Sequence, residues 1–276
     1  MDIQKLKKQI LLKRSFLCVG LDVDLKKIPK SFLELEDPIY EFSIRVIEST
    51  VKYAVAYKPN IAFFERYGPK GMKSLNKIME FINNKYPNLF TIADAKRGDI
   101  GNTSSRYAKA FFETYNFDSI TVVPYMGKDS IEPFLRYKNK YAILLALTSN
   151  EGAKDFQFIT KGQTPLYEEV IKASLKWKNS NRLMYVVGAT RAESIEGIRK
   201  LIPDSFLLIP GLGFQGGNLY EVSKYALNKD VGILVNSSRG IIYSFKKEKT
   251  MEKDLSRSAR KIQEQMSGIL QKNNFL

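Results

Sequence analysis

The sequence predicts an α/β chain closed into a single-domain (β/α)8 TIM barrel over residues 1–276, and three observations carry that prediction. Eight short apolar, β-branched runs recur along the chain; segments of helical spacing separate them; and polar residues break the runs at their C-terminal ends. Near-continuous apolar character is what a parallel strand covered on both faces requires. Alternation of this kind builds a parallel sheet, and eight units favour a closed barrel over an open doubly wound sheet.

In chain order the expected strands are Phe16–Asp22, Ala54–Asn60, Leu89–Ala95, Ser119–Tyr125, Tyr141–Leu147, Leu183–Ala189, Phe206–Gly211 and Gly232–Asn236. The segments Ile39–Lys52, Gly71–Asn84, Asn102–Tyr115, Pro165–Trp177 and Ala192–Leu201 place apolar residues three and four apart, as amphipathic helices do. Met251–Gln271 reads as a long, charged, amphipathic helix that closes the barrel. No Gly/Ser linker, low-complexity tract or internal repeat interrupts the pattern.

Composition narrows the chemistry. Hydrophobic residues make up 44% of 276 and charged residues 26%, a globular balance that needs no staples. The single cysteine, Cys18, lies in an apolar run and reads as a small core residue in a reducing compartment. The chain contains no histidine, which excludes Ser–His–Asp and Cys–His catalysis and every His-based metal site. Proton chemistry therefore falls to Lys, Asp, Glu or Tyr.

Formal charge is +15, from 44 basic and 29 acidic residues. The basic residues are dispersed rather than massed in one arm, so a nucleic-acid partner is not expected. A positive field would still draw a small anion toward a cleft. The first 30 residues do not read as a secretory signal, and no apolar run approaches the length of a membrane span. The expectation is a cytoplasmic protein with no membrane partner.

In a barrel, chemistry gathers where the strands end. Strand three ends in Asp94-Ala95-Lys96-Arg97-Gly98-Asp99-Ile100. Asp94 and Lys96 are two apart, which on a regular strand puts both on one face. They are either a structural ion pair or an acid and a base side by side, and a buried pair is costly to keep for stability alone. Asp99 either begins a turn or, through flexible Gly98, joins that pair. Strand two ends in Lys58-Pro59, and strand one in Asp22, which either caps the next segment or accepts from a sugar hydroxyl. Strand seven runs into Pro210-Gly-Leu-Gly-Phe-Gln215-Gly-Gly217, and strand eight into Asn236-Ser-Ser238-Arg239. A glycine-rich loop and an arginine fork after strands seven and eight suit a phosphate.

With these motifs in place, the chain resembles the orotidine 5′-monophosphate decarboxylases over nearly its whole length, in their longer bacterial-type subfamily. Asp94-Ala-Lys96-Arg-Gly-Asp99-Ile100-Gly-Asn-Thr103, preceded by Lys58, is the most specific match; Val187-Gly188 and Pro210-Gly-Leu-Gly-Phe-Gln215 follow in order. The resemblance implies decarboxylation to UMP in pyrimidine biosynthesis with no cofactor and no metal. It implies Lys96 as proton donor, Asp94 facing the substrate carboxylate, and Lys58 and Asp99 completing a Lys–Asp–Lys–Asp array. Asp22 and Thr103 would hold ribose hydroxyls, and Ser149 the pyrimidine. Gln215 and Arg239, with Pro210 and Ser238 beside them, would grip the phosphate. Ile100, Leu145 and Val187 would line the apolar pocket for the departing group. A homodimer is implied, with Asp99 and Thr103 crossing its interface. Thr148 departs from the pattern, which has a more apolar residue there.

Two other readings make different demands. A metal-dependent sugar-phosphate decarboxylase or synthase on the same barrel would want a carboxylate where Lys58 stands. A non-catalytic nucleotide- or RNA-binding protein would use the basic surface.

Overall fold

The computed structural model describes residues 1–188, 192–211 and 218–276, with the side chains of 192 and 193 excepted. Eight strands form a closed barrel in chain order: β1 Leu17–Leu21, β2 Ala56–Pro59, β3 Phe90–Arg97, β4 Ser119–Val122, β5 Tyr141–Leu147, β6 Leu183–Val187, β7 Leu207–Pro210 and β8 Ile233–Ser237. Each expected strand is found within three residues of its expected ends, Ala189 lying outside the described residues. Strand four stops early because Pro124 cannot donate to a ladder and instead opens a 3₁₀ turn, Pro124–Met126. Strand three runs on through Lys96 and Arg97.

The longer helices are α1 Ile3–Lys13, α2 Pro38–Thr50, α3 Gly68–Lys85, α4 Gly101–Lys109, α5 Lys128–Leu135, α6 Leu166–Leu175, α7 Ala192–Leu201 and α8 Leu219–Ala226. They are followed by one-turn α9, Arg239–Ile242, and by α10, Met251–Lys272. The helix expected over Asn102–Tyr115 is α4 continued by a π-turn, Ala110–Thr114. The wider turn brings consecutive Phe111 and Phe112 both inward, each 3% exposed. Among the described residues no helix is long and apolar enough to cross a membrane.

Contacts gather the chain into two units, residues 1–95, 115–117 and 236–276, and residues 96–114 and 118–235. In the first, β1 and β2 pair in parallel from Cys18↔Ala56 to Leu21↔Pro59, and β2 pairs with β3. Asp37 caps α2, accepting the Tyr40 N–H at 3.1 Å, with Pro38 at the first helical position where no N–H is needed. Helix α1 buries Leu6 and Ile10. Lys13 at its end donates to the Val51 and Ala54 carbonyls at 2.7 Å each, and α10 packs on α2. Cys18 is fully buried, and that burial pushes its thiol up to about 12. The thiol is a core group.

In the second unit β4, β5, β6 and β7 pair in parallel, with a register shift between Leu145 and Leu147 of β5. Here Arg199 of α7, 9% exposed, gathers backbone carbonyls: Ala226 at 2.9 and 2.6 Å, Ile202 at 3.0 Å, Ser205 at 2.7 Å and Gly232 at 3.1 Å. Burial lowers its pKa to about 10. A short hairpin, Thr160–Lys161 with Thr164–Pro165, precedes α6.

Candidate active site

The first unit supplies a buried ion pair. Lys58 lies opposite Gly20 in the β1–β2 register, and Asn60 bridges to Asp94 on β3. That places the two strand ends so that Lys58 Nζ donates to Asp94 Oδ2 at 2.7 Å. The side chains are only 6% and 13% exposed, so water screens the pair poorly. Burial alone would push the Lys58 ammonium toward neutrality. The charges of Asp94 and Asp22 and the hydrogen bond that the ammonium donates to Asp94 outweigh burial, and the Lys58 pKa is raised. The group stays an ammonium where burial would otherwise discharge it.

Asp22, just past β1, accepts from Ser238 Oγ at 2.7 Å through Oδ2. Its Oδ1, like Asn236 Oδ1 at the end of β8, is buried without a hydrogen bond. Buried acceptors rarely remain so, and two of them suit hydroxyl donors. Asp22 thus fits the sugar reading better than the capping one. Tyr243 steadies the loop: its hydroxyl accepts from Asp24 N–H at 2.7 Å and donates to the Asp22 carbonyl at 3.0 Å. Burial pushes this phenol up to about 12, so it keeps the proton it donates. Arg239 opens α9 with its side chain exposed. Sequence reasoning missed Asn236 and Tyr243 as site residues. Asn236 carried a signal, a polar group ending an apolar run, whereas Tyr243 after Ile241-Ile242 reads as core.

The second unit holds the rest of the strand-three motif, and here one expectation is corrected. Lys96 has φ 50, a left-handed conformation, so the two-residue alternation of a regular strand does not carry from Asp94 to Lys96. Gly98 also has a different role from a flexible turn. A Cβ there would come 2.7 Å from the Val123 carbonyl oxygen, and close approach is what excludes a side chain. Asp99 Oδ1 accepts the Ile100 N–H at 2.7 Å, and Ser104 Oγ accepts the Asp99 N–H at 3.1 Å. Asp99 therefore opens the turn into α4, with its side chain half-buried. Ile100 is 61% exposed and Thr103 is exposed.

Leu145 and Val187 lie on adjoining strands, Leu145 opposite Val186 and Val187 opposite Leu147. Leu145 also borders a cavity of about 610 Å³ lined by Val123, Tyr125, Thr148, Phe156 and Gln157 among others. Thr148 is held there by Gln157, whose Oε1 accepts the Thr148 N–H and whose Nε2 donates to Thr148 Oγ1, both at 2.8 Å. This pairing accounts for a polar residue where an apolar one was expected. Ser149 is half-buried against Gly188, where a Cβ would come 2.9 Å from the Ser149 Cβ. Pro210, half-buried, ends β7. Gln215, with Gly213, Gly216 and Gly217, lies outside the described residues. Among the described residues no three His, Cys, Asp or Glu side chains gather into a set that could hold a metal.

Similarity to known proteins runs nearly the full length. The orotidine 5′-phosphate decarboxylase / HUMPS family profile matches residues 15–253. An orotidine 5′-phosphate decarboxylase of Flavobacterium johnsoniae is 60% identical over 270 residues, 98% of each chain. One of Phocaeicola vulgatus is 52% identical over 272 residues, 98% of this chain and 99% of that one. Among solved structures, Leishmania donovani OMP decarboxylase superposes with a TM-score of 0.84 at 34% identity, covering 98% of both chains. The chain belongs to the orotidine 5′-phosphate decarboxylase / HUMPS family.

Proposed function

We propose that the whole chain works as one barrel domain that decarboxylates orotidine 5′-monophosphate to UMP and carbon dioxide, in the cytoplasm, without metal or cofactor. The observation that carries this reading is the Lys58–Asp94 pair: an ammonium kept charged by carboxylates in a nearly dry site. Fixed charges of this kind stabilise a charged transition state without reorganising. Asp94 faces the substrate carboxylate and disfavours it. As the bond from C6 to that carboxylate breaks, its electron pair stays on C6 and takes a proton from the Lys96 ammonium. Carbon dioxide leaves into the apolar pocket of Ile100, Leu145 and Val187. Water then returns a proton to Lys96.

Asp22, with its free lone pair, and Thr103 hold the ribose hydroxyls; Ser149 holds the pyrimidine; Gln215, Arg239, Ser238 and the backbone after Pro210 take the phosphate. A second copy of the chain supplies Asp99 and Thr103. The 61% exposure of Ile100, next to Asp99 in the chain, supports a covered surface there in a homodimer.

The test is loss of orotidylate absorbance with purified protein in excess chelator. Sustained turnover is expected; turnover that stops and returns only with Mg²⁺ would favour a metal-dependent sugar-phosphate enzyme, and preference for RNA over UMP a binding protein. In the same assay Arg239→Ala should raise KM by about 10- to 100-fold with a smaller effect on kcat, because its fork contacts a group far from the reacting carbon.

A further inference from the structure

We propose that Thr121 is a positioning residue for Lys96, and that its hydroxyl rather than its methyl group fixes the backbone from which the Lys96 ammonium is delivered. This deepens the decarboxylase reading and rests on it for the role of Lys96.

Lys96 sits in β3 with φ 50. The other described non-glycine residues with positive φ are Arg14, Asn116, Asn139, Asn179, Val231 and Asn274, and none of them lies in a barrel strand. A lysine has no side-chain device that favours this conformation, as asparagine has. Such strain persists only where the surroundings over-determine it, and it clusters where function needs it.

Three neighbours do so here. The Lys96 N–H donates to Thr121 Oγ1 at 2.9 Å, so a side chain takes a bond that a regular ladder gives to a backbone carbonyl. Thr121 is 2% exposed, so the acceptor end of that bond is shielded from water. One residue on, the ladder resumes as Val123 N–H donates to the Arg97 carbonyl at 2.9 Å. The Arg97 guanidinium lies over the Tyr107 and Phe111 rings at 5.3 and 5.6 Å. Arg97 and Gly98 anchor the chain after the lysine; Thr121 acts on the lysine itself. Losing its hydroxyl while keeping its shape takes this acceptor from a part-buried N–H and lets the Lys96 backbone relax toward ordinary φ.

The experiment compares Thr121→Val, which keeps the shape, with Thr121→Ser, which keeps the hydroxyl. A misplacement of about 1 Å in a reacting group costs on the order of 100-fold. In Thr121→Val kcat should therefore fall roughly 10- to 100-fold with KM nearly unchanged, and Thr121→Ser should recover to within about threefold of wild type. Equal losses in the two variants, wild-type kcat in Thr121→Val, or a loss confined to KM would overturn the inference. Amide exchange in the wild-type protein tests the same contact should Thr121→Val fail to fold. The Lys96 amide should be protected like its strand neighbours, and exchange at loop rates would overturn the inference whatever the activities. Wild-type protein inert toward orotidylate defeats the decarboxylase reading instead, a result separate from either variant comparison.

Discussion

Lys96→Ala is expected to lower kcat roughly ten-thousand-fold or more while the protein stays folded. The lysine is asked for two things, a proton and a positive charge opposite the developing carbanion. Positioned proton transfer contributes about 10²- to 10⁴-fold, and one preorganised electrostatic partner about 10²- to 10³-fold. The two act on one transition state, so their loss is larger than either alone. Its side chain is exposed, and an alanine meets the same left-handed backbone that the lysine does. The melting temperature should move by no more than about 2 °C, since exposed substitutions stay within about 0.5 kcal/mol. Single-turnover kinetics of refolded Lys96→Ala, alongside thermal unfolding, measure both. Near-normal decarboxylation by this variant would remove the proton donor from the mechanism.

The second large effect is on stability as well as activity. Lys58→Met keeps the length and apolar stem of the side chain but removes the cation that faces Asp94 and Asp22. Removing one member of a buried pair costs about 3–5 kcal/mol, because the other charge no longer faces its counter-ion. The pH dependence distinguishes this from simple repacking. In the wild type the Lys58 pKa is raised in the folded state, so its stabilising contribution is fully present below the unfolded lysine value near 10.4 and lost only as pH rises through the folded value. Across neutral pH that contribution is therefore constant. In Lys58→Met that contribution is absent at every pH, so the destabilisation should stay constant across neutral pH and shrink only as pH rises above about 10.4 and discharges the wild-type lysine. Denaturant unfolding at neutral pH and above about pH 10.4 checks this; an equal loss at both values would mean that packing, not charge, sets the cost.

Much of this was legible from sequence because the barrel writes its chemistry at strand ends. Asp22, Lys58, Asp94 and Arg239 each follow an apolar run, and the runs stood out because both strand faces are buried. The conformation of Lys96 was not legible. Left-handed backbone is normally signalled by glycine or asparagine, and here the motif offers Gly98, which turns out to be small for a different reason. Its partner Thr121 is 25 residues away on the next strand, beyond any local pattern. Helices α5 and α8 escaped notice for similar reasons. Pro133 inside α5 reads as a breaker, and α8 spans only eight residues. Helix α1 did carry a signal, Asp2 as N-cap with Leu6 and Ile10 four apart, but its lysines dilute the apolar spacing that marked the expected helices.

Arg199 alters how the surplus of positive charge should be understood. Its guanidinium is spent on the carbonyl oxygens of five residues between 202 and 232, and its donors are turned inward, away from an approaching anion. What position 199 requires is a flat, many-pronged donor, and a lysine, with its compact ammonium head, cannot match that geometry. A formal count of basic residues therefore overstates this chain's reach toward its surroundings, since at least one of them works as an internal rivet.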